Sequence, residues 1–195
     1  QSLAAERGLK DKIRALFAGE VVNVSENRPA LHWALRGNGK GIPTAEAMAR
    51  EAEKAAAFAK KAASGGLGFT VKTILHIGIG GSDLGPRLIW DALRTYASNG
   101  PNIRFVANVD PEDFAEQTAD LDPKTTLVLV VSKSFKTPET ASNALLGREW
   151  LVKALGEAEA NNHLAAVSSA PDKAKAWGAA EDRIFPMDES VGGRY

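Results

Sequence analysis

The chain has 195 residues, 44% of them hydrophobic, which is enough for one core or for a core with a small appendage. Its 24 lysines and arginines balance 24 aspartates and glutamates, so no overall field favours nucleic acid, and any polyanion would have to be held locally. Cysteine is absent, which removes disulfides, thiolate metal sites and cysteine nucleophiles and suits a reducing cytoplasm.

No apolar run approaches the roughly 20 residues of a membrane helix, and the opening "QSLAAERGLKDKIRALF" is too charged for a secretory signal. That same opening sets Leu9, Ile13, Leu16 and Phe17 at helical spacing, weakened by Gly8, and predicts a helix over residues 3 to 17. From Thr44 to Ser64 an alanine-rich helix is expected. Its narrow apolar stripe is Met48, Ala52, Ala55, Ala59 and Ala62, beside a Glu46 to Arg50 i,i+4 pair, and "SGGLG" ends it.

The texture then changes to strand-length apolar runs separated by helical segments: "TILHIGI", "IRFVANV", "TLVLVVS", "HLAAVSS" and "RIFPM". Runs apolar on both faces and alternating with helices predict an α/β fold built on a doubly wound, five-stranded parallel sheet. Pro86, Pro111, Pro138 and Pro171 each stand at a plausible first helical position a few residues after a strand. The expected organisation is an N-terminal helical segment, residues 1 to 65, and a sheet domain from 66 to 195.

Two loops carry candidate chemistry. In "GIGGSDLG" the glycines allow backbone conformations and close approaches that a Cβ would block, which frees amides to point at an anion, and Ser82 adds a hydroxyl. A tight turn with no ligand would use the same glycines. The dinucleotide pattern starting at Gly78 fails because Asp83 stands where a third glycine is needed, and the P-loop pattern fails because Pro86 and Arg87 replace its lysine and hydroxyl residue.

The second loop, "SKSFKTPET", offers hydroxyls at Ser132, Ser134, Thr137 and Thr140, ammonium groups at Lys133 and Lys136, and a helix start at Thr137-Pro138. A bland reading makes Thr137 a helix cap and the lysines solvated, but a cap needs one hydroxyl and this loop has four. In a sheet of order 2-1-3-4-5 the two loops follow neighbouring strands at the switch point where ligands bind. A phosphomonoester suits them, since hydroxyls and amides supply donors without the excess charge a polyphosphate would want.

The stretches "ENRPALHWALR" (26 to 36), "HIGIGGSDLGP" (76 to 86), "VSKSFKTPET" (131 to 140) and "VGGRY" (191 to 195) together resemble the phosphoglucose isomerase (glucose-6-phosphate isomerase) family, in the family's order. The resemblance implies a sugar-isomerase domain with the flavodoxin-like strand order. It also implies an aldose-ketose isomerase of glycolysis and gluconeogenesis that needs no cofactor or metal and acts as a homodimer whose site borrows a residue from the partner. By the same resemblance Gly81, Ser82, Ser132, Lys133, Ser134, Thr137, Thr140 and Gly193 contact the sugar phosphate, and Arg194 stabilises the enediol oxygen.

"ENRPALHWALR" is then expected at the periphery, and His32, His76 and His163 read as packed, hydrogen-bonded residues. The family's glutamate base and its ring-opening histidine and lysine belong to segments without a counterpart here. The chain is therefore expected to be a fragment that binds sugar phosphate and catalyses little or nothing alone. Rival readings are a noncatalytic sugar-phosphate sensor, which leaves Arg194 incidental, and a nucleotide-dependent oxidoreductase, supported only by Asp110 as a weak ribose ligand.

Overall fold

The structure, a computed structural model, describes residues 2–36, 39, 41–97 and 100–192. Two short helices, α1 (Ser2–Glu6) and α2 (Leu9–Phe17), replace the single helix expected there. The break is at Gly8, whose φ of 62° lies in the left-handed region that interrupts a helix. Helix α3 (Pro43–Ala63) then leads to the sheet. Its inward stripe is Ala45, Met48, Ala55, Phe58 and Ala62, whereas Ala52 and Ala59, expected to face inward, are exposed. Phe58 carries the larger apolar area and sets the rotation of the helix. Glu46 accepts the Gly41 amide at 3.2 Å and does not reach Arg50.

From residue 73 the elements alternate: β1 (Thr73–Ile77), α4 (Gly81–Leu93), β2 (Asn102–Val106), α5 (Pro111–Thr118), β3 (Thr126–Val131), α6 (Pro138–Leu155), α7 (Glu157–Asn161), β4 (Leu164–Ser168), α8 (Pro171–Trp177) and β5 (Ile184–Pro186). All five expected strands form, every pairing is parallel, and the order is β2-β1-β3-β4-β5. The fold is α/β and doubly wound, as the apolar runs predicted.

Right-handed crossovers decide which face each helix covers. The chain moves one way from β1 to β2 and the other way from β2 through β3, β4 and β5, so α5, α6 and α8 share a face opposite α4. Alternate strand residues follow suit. Leu75, Ile77, Val128, Val130, Leu164 and Ala166 join the larger core with Phe114, Ala144, Leu151 and Ala174, while Leu127 and Ala165 join Ala62 and Val71 under α3. Each fully buried leucine or valine here contributes about 1.5–3 kcal/mol. Because β1 and β3 are adjacent, with Ile77 opposite Val130, their carboxyl ends open side by side at the switch point.

Candidate functional site

The turn after β1 is built by exclusion. A Cβ on Gly78 would stand 2.8 Å from the Ser82 carbonyl oxygen, and Gly80 has φ 59° and ψ −122°, a conformation that side chains resist. Helix α4 therefore starts at Gly81, not at Pro86 as the proline rule predicted. Pro86 lies in its second turn, where the missing N–H deprives the Ser82 carbonyl of its ordinary i+4 donor. That carbonyl finds another partner: His76 Nε2, from β1, lies 2.8 Å away. Burial pushes the His76 pKa below its ordinary value, outweighing the Ser82 hydrogen bond and the nearby Asp83, which raise it. The ring is thus neutral, and because a carbonyl only accepts, Nε2 carries the proton.

Asp83, next along, is buried and gripped by Arg87 through Nε (3.2 Å) and Nη2 (2.9 Å), and the guanidinium lies 4.6 Å from the centre of the Phe105 ring. That commits Asp83 to a structural pair at the helix start. The Gly81 amide, at the first helical position, has no intrahelical partner, and Gly81 lines the cleft described below.

The turn after β3 is fastened from several sides. Ser132 Oγ accepts the Phe135 amide at 3.1 Å, and Ser134 Oγ accepts the Lys136 amide at 3.3 Å. The Lys133 carbonyl accepts both the Ser168 and the Ser169 hydroxyl, at 3.2 and 2.7 Å. Phe135 has a φ of 51°, which costs a non-glycine residue of order 1–3 kcal/mol. Its ring packs 6.0 Å from that of Trp177, which helps hold it there. Thr137 occupies the N-cap position of α6 but its side chain makes no cap bond, so the bland reading of that hydroxyl fails. Thr140 is buried in the helix's first turn.

A cleft of about 850 Å³ collects residues from both turns, including Gly81, Ser82 and Lys133, with Arg28, His32 and Glu189 across from them. The stretch expected at the periphery is therefore a wall of the cleft. It also docks the chain's last described segment. The Leu31 amide donates to Ser190 O at 3.2 Å, the Gly192 amide donates to His32 Nε2 at 2.7 Å, and Arg28 pairs with the Glu189 carboxylate at 3.1 Å. Lys133 reaches over to donate to the Glu189 carbonyl at 2.6 Å. Gly193 and Arg194, which sequence reasoning placed at the site, lie outside the described residues.

Ser132 and Ser134 spend a lone pair on their own loop's amides, and neither they nor Thr137 and Thr140 line the cleft, although all four belong to the same turn and helix start as Lys133. A cation missed by sequence reasoning is Lys173 of α8, which donates to Ser134 O at 3.3 Å. Local desolvation and the neighbouring Lys136 ammonium both lower its pKa, so two cations converge on this loop. Nothing local in the sequence marks Lys173, which arrives from 39 residues away. A separate cleft of about 940 Å³ opens between α3 and β5, lined by mixed charges such as Lys54, Lys175 and Glu181 and by no residue of either turn. Among the described residues, no group of three or more histidines and carboxylates could hold a metal ion, and no helix is long and apolar enough to cross a membrane.

A family model described as phosphoglucose isomerase matches residues 1–195. The chain is 50% identical over 190 residues to a glucose-6-phosphate isomerase of Caulobacter sp. (strain K31), covering 92% of this chain and 35% of that relative. It is 45% identical over 204 residues to the same-named protein of Frankia casuarinae, covering 100% of this chain and 37% of the relative. Among solved structures, a glucose-6-phosphate isomerase from Chlamydia trachomatis superimposes with a TM-score of 0.77 at 33% identity, over 100% of this chain and 38% of that one. The chain thus spans little more than a third of the length of these relatives.

Proposed function

Since this chain belongs to the phosphoglucose isomerase family, we propose that it forms the phosphate-gripping part of a glucose-6-phosphate isomerase, which interconverts glucose 6-phosphate and fructose 6-phosphate by moving a proton through an enediol. The observation that carries this reading is the meeting of Gly81, Ser82 and Lys133 on one cleft at the carboxyl ends of β1 and β3. Amide, hydroxyl and ammonium donors there suit a doubly charged phosphomonoester. Ser132, Ser134, Thr137 and Thr140 complete the grip from the second turn, with the dipole of α6 behind them.

In this reading Gly193 contacts the sugar and Arg194 stabilises the oxygen that gains charge in the enediol-like transition state. We assign no general base within the chain, because Asp83 is committed to Arg87 and Glu189 to Arg28. Residues 66 to 195 form the sugar-isomerase domain and residues 1 to 65 a helical segment that walls its cleft. The whole enzyme acts as a cytoplasmic homodimer.

Thermal unfolding of this chain tests the reading. At a hundredfold excess over Kd, fructose 6-phosphate should stabilise by about 2.7 kcal/mol, which raises Tm by roughly 5–10 °C for a domain of this size. Inorganic phosphate should act in the same direction and NAD should not act at all. Stabilisation by NAD alone would overturn the proposal.

A further inference from the structure

We propose that His76 is a positioning residue for the substrate's phosphate, because it supplies to Ser82 the hydrogen-bond donor that Pro86 takes away. The proposal rests on the reading of the Ser82 turn as a phosphate site. In an α-helix starting at Gly81, the Ser82 carbonyl accepts from the residue four places on, and that residue is the one proline inside α4. Left alone, the carbonyl would tilt toward whatever water could reach it, and the first turn would kink. His76 Nε2 prevents this at 2.8 Å, from a strand beneath the helix.

The donor is itself held in place. His76 is 4% exposed, its ring lies 5.1 Å from Phe105, and Phe105 carries the Arg87 guanidinium that binds Asp83. Two adjacent residues of the turn, Ser82 and Asp83, are therefore pinned from β1 and β2 through one continuous set of contacts. Gly78 completes the clamp, since only a residue without Cβ allows the chain leaving β1 to pass so close to the same carbonyl. The same turn, through Gly81 and Ser82, lines the cleft. Fixing the Ser82 carbonyl fixes the backbone that presents both residues to the cleft. Nε2 donates in either protonation state of the ring, so this device is steric and directional and is no pH switch.

The test is a double-mutant cycle on this chain, read as the Kd for fructose 6-phosphate by calorimetry. His76→Leu removes the donor at similar volume and should weaken binding about ten-fold. His76→Gln keeps an N–H at a similar reach and should bind within about three-fold of the parent. In a Pro86→Ala background the residue 86 amide can serve Ser82, so adding His76→Leu should there cost less than about three-fold. Unchanged affinity for His76→Leu, an equal loss in both backgrounds, or failure of His76→Leu to fold in both backgrounds would overturn the proposal, the last because His76 would then hold the core and not the turn. Absence of binding by the unmodified chain would instead sink the phosphate-site reading itself, and the positioning role with it.

Discussion

Replacing Arg194 by alanine in an enzyme of full family length is expected to lower kcat by about 10²- to 10³-fold while KM for fructose 6-phosphate stays within about three-fold. The asymmetry follows from when the charge appears. In the ground state the sugar oxygen is neutral and a guanidinium gains little from it; in the enediol-like transition state the oxygen carries negative charge, and a cation beside it is attracted far more strongly. The chain leading to Arg194 is anchored two residues earlier, where the Gly192 amide donates to His32 Nε2 at 2.7 Å. Arg194→Lys keeps the charge but loses the planar fork, so it should fall between the parent and alanine. Steady-state kinetics in both directions check this. A raised KM with unchanged kcat would make Arg194 a ground-state contact and nothing more.

The second large effect belongs to the phosphate loop. Ser132→Ala combined with Thr137→Ala should raise KM by about 10²-fold or more, since each hydroxyl bond to a charged group is worth about 1.5–3 kcal/mol, with a smaller change in kcat. The phosphate lies away from the reacting carbons, so most of its binding energy is uniform, and only a fraction reaches the chemical step. The single variants should separate on stability. Ser132 Oγ accepts the Phe135 amide at the strained φ of 51°, so Ser132→Ala should also lower Tm, whereas Thr137 makes no cap bond and its loss should leave Tm nearly unchanged. Unaltered kinetics in the double variant would remove both hydroxyls from the site.

What could be read from the sequence was whatever depends on neighbours along the chain. Runs such as "TILHIGI" and "TLVLVVS" show their burial on both faces in their composition, so the five parallel strands and the pairing of β1 with β3 were legible. Pro111, Pro138 and Pro171 open helices as proline's fixed φ dictates. Pro86 broke the same rule because its cost is met across the fold by a strand histidine, a contact that no local pattern announces.

The same division runs through the histidines and the site. His163 is a packed core residue as expected, buried, with Nδ1 2.8 Å from Thr126 O and its ring stacked on Phe69. His32 is hydrogen-bonded as expected, but its partner Gly192 is 160 residues away, and that distance explains why the stretch around it was read as peripheral. The glycines of the first turn and the donors of the second were visible as a pattern. The left-handed Phe135 and the approach of Lys173 were not, since both depend on how α6 and α8 pack against the loop.

The most direct test is a crystal structure of this chain with fructose 6-phosphate bound. The phosphoryl group should lie between the two turns, within hydrogen-bond reach of Ser82 on one side and of the Ser132 to Thr140 segment on the other. Density for it in the cleft between α3 and β5, or anywhere away from Ser82 and Thr137, would contradict the assignment of these turns to phosphate.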